Sequence, residues 1–350
     1  MAAPCYDTIR MDPGQRERYL RQIVLPVIGE QGQQNLLESA AAIIGCGALG
    51  SFQAAALARA GVGRLILVDR DYLELSNLQR QWLYDESDLE EDLPKAIAAA
   101  RHLARINSAI EIRPVVADLN SANIADTLAG ADVILDGTDN FETRYLINDY
   151  CIRNGIPWVY GAALATYGIT MPVLPGRSAC LKCLYPEPPA PPQPTCETAG
   201  ILNVVTAAVA SIQVADALKI LTGAGPSLRL RITMLDLWEG RIREVEQPGP
   251  QPDCPACARR VFAHLEAGPR GPVTLCGRNA VQIHERAGPL DLEELARRLA
   301  PLGEVKLTPF ALRFRTTPYE LTIFGDGRVI VKGTGDPGVA RSVYARYIGN

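Results

Sequence analysis

The segment Ala41 to Asp71, AAIIGCGALGSFQAAALARAGVGRLILVDRD, leaves the chain few choices of fold. Its apolar opening reads as a buried strand, and the alanine-rich stretch after the glycines reads as a helix. Between them Gly45, Gly47 and Gly50 stand in G-x-G-x-x-G spacing, with Ala48 inside the loop. Glycines at such a turn let the backbone approach a phosphate, and the helix N-terminus adds its dipole. A second apolar run, Leu65 to Val68, ends in Asp69, where a carboxylate can take ribose hydroxyls. The pattern suits NAD, another nucleotide, or a tight turn that binds nothing.

The alternation continues to Asp139, with strand-like runs at Ile110 to Val116 and Val133 to Leu135 between helical stretches. It predicts an α/β fold, a parallel sheet with helices on both faces. Upstream, Glu17 to Leu37 has near-helical spacing broken at Pro26 and at Gly29 to Gly32. IPWVYGAALATYGITMPVL reads as two further strands, the second bounded by Pro172 and Pro175. PEPPAPPQP is too rich in proline for helix or strand. Ile201 to Leu221 reads as a long apolar helix, and Arg229 to Val245 as one or two strands. The tail from Val273 predicts a strand, the helix DLEELARRLAPLG, three strands with a turn at Gly325 to Gly327, and a last helix from Asp336-Pro337.

A net charge of −4 argues against a nucleic-acid partner, which asks for a basic face. No uninterrupted apolar run approaches the roughly 18 residues of a membrane helix, so no membrane association is expected. MAAPCYDTIRMDPGQRERYL carries no signal-peptide pattern, and the expectation is a cytoplasmic protein. There the nine cysteines are expected as thiols, metal ligands or catalysts rather than disulfides.

Beyond the ribose acid, Ser76, Asn77, Leu78, Gln79 and Arg80 form a polar loop that a dehydrogenase does not need. It suits further phosphates, because the arginine fork grips two oxygens at once. Lys95 opens the next helix, where its ammonium is repelled by the dipole unless an anion sits there; a solvated lysine is the plainer alternative. Asp139 and Asn140 follow a buried strand end, where α/β sheets bind ligands. With Asp136 nearby, a carboxylate there either holds Mg²⁺ against a triphosphate or caps the next helix. Cys180, Cys183, Cys254 and Cys257 make two C-x-x-C knuckles about seventy residues apart, the donor set of tetrahedral zinc. A redox pair would need a thioredoxin-like context that neither knuckle has. Cys196, in PTCETAG, precedes a long helix and is either inert or an exposed thiol activated by the helix start. Cys46, Cys151 and Cys276 read as core, and His102, His264 and His284 form no cluster.

Taken in order, RYLRQI, GCGALGS, VDRD, SNLQRQ, PKAIAA, DGTDN, CLKC, TCETAG and CPAC resemble the ThiF/MoeB family over roughly Arg16 to Cys257. These are bacterial relatives of the ubiquitin-activating enzymes. The resemblance implies a Rossmann-like doubly wound adenylation fold that uses ATP, not NAD, to adenylate the C-terminal glycine of a ubiquitin-like sulfur carrier. The implied carrier is ThiS-like, in thiamine thiazole biosynthesis; MoaD-like molybdopterin carriers and, more remotely, NAD-dependent oxidation are the alternatives. By resemblance Asp69 holds the ribose, Ser76 to Arg80 line the nucleotide, Arg80 and Lys95 meet the phosphates, and Asp139 serves Mg²⁺. Arg21 reaches the site of a neighbouring subunit in a homodimer, and Cys196 supplies a covalent thiol step after adenylation. Two local departures are Ala48, where the family often has glycine, and the approach EEDLPK to Lys95, where many members carry a glycine. The tail is not a rhodanese domain, so sulfur is expected from a separate donor such as a cysteine desulfurase. The expected organisation is a flexible arm at 1–14, an ATP-binding domain with zinc knuckles at 15–257, a linker at 258–272 and a small α+β domain at 273–350.

Overall fold

The computed structural model describes residues 11–189, 194–225, 228–267, 273–275, 279–283 and 290–349. Cys5, Cys276 and His284 lie outside them, as do residues 1–10 of the expected arm. That arm ends earlier than expected, since α1 (Pro13–Ile23) begins inside it. Asp12 accepts from the Gln15 N–H while the Gln15 side chain returns to Asp12 N, a reciprocal cap that fixes the helix start. The chain turns at residues 24–28 and continues as α2 (Gly29–Glu38).

The sequence then alternates as β1 (Ala40–Ile44), α3 (Gly50–Ala60), β2 (Arg64–Asp69), α4 (Glu86–Glu91), α5 (Lys95–Ile106), β3 (Glu111–Val116), α6 (Ile124–Thr127), β4 (Val133–Asp136), α7 (Phe141–Asn154), β5 (Trp158–Leu164) and β6 (Tyr167–Val173). Two one-turn helices follow, α8 (Leu181–Leu184) and α9 (Cys196–Ala199), then the long α10 (Asn203–Leu221), the hairpin β7 (Arg231–Asp236) and β8 (Arg241–Glu246), and the short α11 (Ala263–Glu266).

All eight strands join one sheet in the order β3-β2-β1-β4-β5-β6-β7-β8. Strands β3 to β5 in that order run parallel, as the alternation predicts, and β6, β7 and β8 are antiparallel. Pro172 lies within β6 rather than at its border. It is tolerated because β7 pairs with β6 only as far as Thr170, leaving the proline without a neighbour on that side. α10 is long and apolar enough to cross a membrane by length and composition alone. Its residues Val205, Val209 and Ala210 are instead buried in a core with Leu49 and Leu235.

The chain divides into two compact units, Met1–Glu266 and Ala267–Asn350. Residues 258–266, expected in the linker, pack on α7: Phe262 is buried and Arg260 donates to the carbonyls of Ile152 and Arg153. The second unit holds a six-stranded antiparallel sheet of β9 (Val273–Leu275), β10 (Ala280–Ile283), β11 (Glu304–Leu307), β12 (Ala311–Thr316), β13 (Tyr319–Phe324) and β14 (Val329–Lys332), with α12 (Leu292–Leu299) and α13 (Pro337–Tyr347). Two strands precede α12 and four follow it, where one and three were expected. The expected helix DLEELARRLAPLG is shorter, because Pro301 and Gly303 end it and release EVKL as the extra strand.

Candidate active site

The glycine turn is dictated by packing at two positions and opened at a third. Gly45 sits at φ +87°, and a Cβ there would come within 2.5 Å of the Gly137 carbonyl. A Cβ on Gly50 would meet the Gly45 oxygen at 1.7 Å. Gly47 differs: a Cβ there would meet nothing nearer than Gln81 Nε2 at 3.9 Å. Its face is open, which is the access that a phosphate needs. Ala48 is half-buried in the same turn.

Asp69 pins this turn to the end of β2. Its carboxylate accepts from the N–H groups of Cys46 and Asp71, each at 2.7 Å. Burial raises its pKa above the ordinary value, with Lys95 opposing and Asp71 adding to the rise. Lys95 is only 4% exposed, with Nζ 3.4 Å from Asp71 Oδ2. The solvated-lysine alternative is therefore removed. A residue that sequence reading missed, Tyr84, places its buried hydroxyl 2.9 Å from the Cys46 carbonyl and 3.1 Å from that of Lys95. It ties the glycine turn to the start of α5.

In the polar loop Ser76 and Gln79 are exposed, Leu78 and Arg80 are half-buried, and Asn77 is buried. Asn77 Oδ1 accepts from the Glu74 N–H at 3.2 Å, so this side chain shapes its own loop. Arg80 is steadied by a 2.7 Å bond from Nη1 to the Ser76 carbonyl.

At the end of β4 the acidic groups separate by role. Asp136 is fully buried, accepts from the Thr138 N–H and hydroxyl, and lies 3.2 Å from Arg144 Nε. Burial pushes its carboxyl up while Arg144 opposes. With those bonds made it is not open to a cation. Asn140 caps α7 through the Thr143 N–H at 2.9 Å, which leaves Asp139 exposed with Asn140 Nδ2 at 3.4 Å. Arg144, also missed in the sequence, donates to the carbonyls of Thr138 at 2.6 Å and Gly161 at 3.3 Å. It fastens the β4–α7 loop to β5.

Cys196 opens the single-turn α9 behind the Thr195 cap. Residues 190–193 of its proline-rich approach lie outside the described residues. The expected exposed, dipole-activated thiol is corrected here: Cys196 is half-buried, and burial raises its pKa. Arg80 and Arg144 pull that pKa down and Asp139 pushes it up, so these four side chains share one neighbourhood. Arg21 stays exposed at the last turn of α1, beside exposed Leu20 and Val24.

The four knuckle cysteines converge, with Sγ–Sγ distances of 3.7 Å for Cys180–Cys254, Cys180–Cys183 and Cys183–Cys257. Tetrahedral zinc with bonds of about 2.3 Å separates its sulfurs by about 3.8 Å, so the donor set fits. The Gln251 and Cys257 N–H groups point at Cys183 Sγ and Cys254 Sγ. No pair is at bonding distance, as all four are free thiols. Lys182, inside the first knuckle, pairs with fully buried Asp149 of α7 at 2.8 Å. Asn148 of the same helix accepts from the Leu181 N–H, and the Tyr145 hydroxyl donates to the Tyr185 carbonyl. Cys46 and Cys151 are core thiols, as expected.

The chain is 43% identical over 336 residues to the sulfur carrier protein ThiS adenylyltransferase of Bacillus subtilis, covering 95% of this chain and 99% of that protein. It is 36% identical over 247 residues to a sulfur carrier protein adenylyltransferase of Thermus thermophilus, covering 69% of this chain and 90% of the other. Among solved structures, E. coli MccB with MccA-N7isoASN superposes with a TM-score of 0.61 at 22% identity, covering 71% of this chain and 76% of that one. This last likeness speaks for the fold. The ThiF family profile matches residues 19–256, which span the glycine turn, Lys95, Asp139 and three of the four knuckle cysteines, and the chain belongs to the ThiF family.

Proposed function

We propose that this enzyme adenylates the C-terminal glycine of a ThiS-like sulfur carrier with ATP, in the formation of the thiamine thiazole. The observation that carries this reading is the 43% identity to a ThiS adenylyltransferase along 95% of the chain. The C-terminal unit is thus included in the likeness, whereas the MOCS3 relative of Sus scrofa aligns over only 69% of this chain. Pyrophosphate exchange against purified ThiS-like and MoaD-like carriers tests it. Exchange with the MoaD-like carrier alone would move the enzyme to molybdopterin synthesis.

In this reading the open face of Gly47 and the N-terminus of α3 receive phosphate oxygens, and Asp69 takes the ribose. The carrier carboxylate attacks the α-phosphate, and pyrophosphate leaves. Lys95 and Arg80 neutralise the charge that collects on the phosphates, a task of positioning and electrostatics rather than covalent chemistry. Asp139, exposed and not engaged as a cap, would hold Mg²⁺, which neutralises further phosphate charge when bound. Cys180, Cys183, Cys254 and Cys257 would hold a structural Zn²⁺. Arg21 completes the partner's site in a homodimer; a monomer with full exchange activity would remove that arrangement. Sulfur comes from a separate donor.

Cys196 acts after adenylation, once an activated carbonyl exists for a thiolate. Cys196→Ala is expected to keep carrier-dependent exchange within about threefold of wild type and to abolish covalent enzyme–carrier species on non-reducing gels, as a residue outside the first step should. Because burial raises its pKa, the alkylation rate of Cys196 should still be climbing with pH at ~8.5, the ordinary thiol value, where an exposed thiol begins to level off. Loss of exchange in a folded Cys196→Ala protein would place the thiol in the first step instead.

A further inference from the structure

The four knuckle thiols differ in access. Cys180 and Cys254 are buried, whereas Cys183 and Cys257 are half-buried and stand 3.7 Å apart across the two knuckles. Cys257 also lines a cleft of about 450 Å³ between the end of α7, the turn at Pro175 and Gly176, and Pro250. Arg153 and Arg260 border the same cleft. Arg260 is fixed there by its bonds to the carbonyls of Ile152 and Arg153, at 2.7 and 2.9 Å, while Arg153 itself is exposed.

The sulfurs differ in hydrogen bonding as well. The Gln251 N–H faces Cys183 Sγ at 3.4 Å, and the Cys257 N–H faces Cys254 Sγ at 3.5 Å. Among the described residues no N–H donates to Cys257 Sγ. A donated N–H draws charge from a thiolate, so Cys257 is left more nucleophilic than Cys183. Tetrahedral coordination asks for none of this asymmetry, since four buried thiolates would serve it equally well. A reachable thiolate bordered by guanidinium groups is instead the setting in which cysteine meets oxidants.

We propose that Cys257 and Cys183 are a site of oxidative modification, at which hydrogen peroxide entering the cleft joins the two knuckles by a disulfide and so releases the zinc. The inference rests on the reading of the four cysteines as a zinc site. Cys257 Sγ attacks one peroxide oxygen, the O–O bond breaks, and hydroxide leaves beside Arg153 and Arg260. Cys183 Sγ then attacks the resulting sulfenic sulfur, an S–S bond forms, and the second oxygen leaves as hydroxide. Two protons from solvent convert the hydroxides to water; the sulfurs have lost two electrons and the peroxide has gained them. Two remaining thiolates are half of a tetrahedral donor set and do not retain the ion. The first knuckle then loses the metal that holds it to the second, while its bonds to α7 through Leu181 and Lys182 persist.

Peroxide treatment of the zinc-loaded, full-length protein tests this, with released zinc followed by a colorimetric chelator and disulfides mapped by mass spectrometry after alkylation under denaturing conditions. Zinc should leave in step with a Cys183–Cys257 disulfide, with Cys180 and Cys254 still open to alkylation, and dithiothreitol followed by added zinc should reverse both changes. Arg153→Glu should bind the same amount of zinc and release it to peroxide about three- to tenfold more slowly, as a reversed charge near the reacting sulfur opposes the departing hydroxide. Zinc retained in excess peroxide overturns the proposal. So does a disulfide confined to one knuckle, Cys180–Cys183 or Cys254–Cys257, and equal release rates in wild type and Arg153→Glu would remove the cleft as the route of attack. Untreated wild type that contains no zinc overturns the metal reading, and this inference with it.

Discussion

Asp139→Asn is expected to reduce carrier-dependent pyrophosphate exchange about a thousandfold, the scale seen when one preorganised charge-stabilising group is removed from a transition state. Its melting temperature should stay within about 2 °C of wild type, as for an exposed side chain with no packing role. The division of labour at the start of α7 makes the two effects separable. Asn140 satisfies the helix N-terminus, and Asp136 is spent on Thr138 and Arg144. Asp139 keeps an exposed carboxylate, with Asn140 Nδ2 at 3.4 Å, near Arg80 and Cys196. The amide keeps size and polarity but loses the charge that a divalent cation requires. Exchange within tenfold of wild type would take Asp139 out of the reaction.

Cys254→Ser should reduce bound zinc from one ion per chain to near none and destabilise the first unit strongly. Structural zinc contributes roughly 10–16 kcal/mol of apparent binding energy in small zinc domains. Even a loss of about 5 kcal/mol lowers the melting temperature by roughly 10–20 °C in a domain of this size. The effect should reach beyond the knuckles. Lys182 is held by Asp149, Leu181 by Asn148 and Tyr185 by Tyr145, so one face of α7 is bonded to the first knuckle. α7 is also the helix that begins beside Asp139. A chelator-treated wild type should therefore lose exchange activity along with metal. Wild-type protein that contains no zinc by metal analysis, yet melts as before, would end this account.

Local patterns made the first half of the fold legible. The glycine spacing, the apolar runs and the acid after β2 each report on one turn or one strand, and their order fixes the parallel half of the sheet. The four cysteines were legible because metal donors come in stereotyped spacings. Buried polar partners carry no such signature. Arg144, Tyr84 and the Lys182–Asp149 pair act across distant parts of the chain, and each looks like an ordinary surface residue in its own segment. Lys95 is the instructive case: its residue type and position suggested solvent, and only the packing of the β2–α4 loop over it made it a buried cation. The extra strand EVKL was hidden because it follows directly on a helix whose end was set too late. Cys196 was read from its helix start, whereas its half-burial, with Sγ 3.9 Å from the Ala163 carbonyl of β5, raises its pKa.

The two rims of the large sheet carry different obstacles to edge-to-edge strand pairing. β3 forms one rim and carries Pro114, which cannot donate a ladder hydrogen bond and so weakens pairing there. β8 forms the other rim with all six residues of RIREVE exposed. Its arginines and glutamates interrupt Ile242 and Val245, so an incoming strand would have to desolvate charge to reach the apolar pair. A sheet of eight strands thus ends in one border interrupted by a proline and one border of exposed charge, and each disfavours the addition of a further strand.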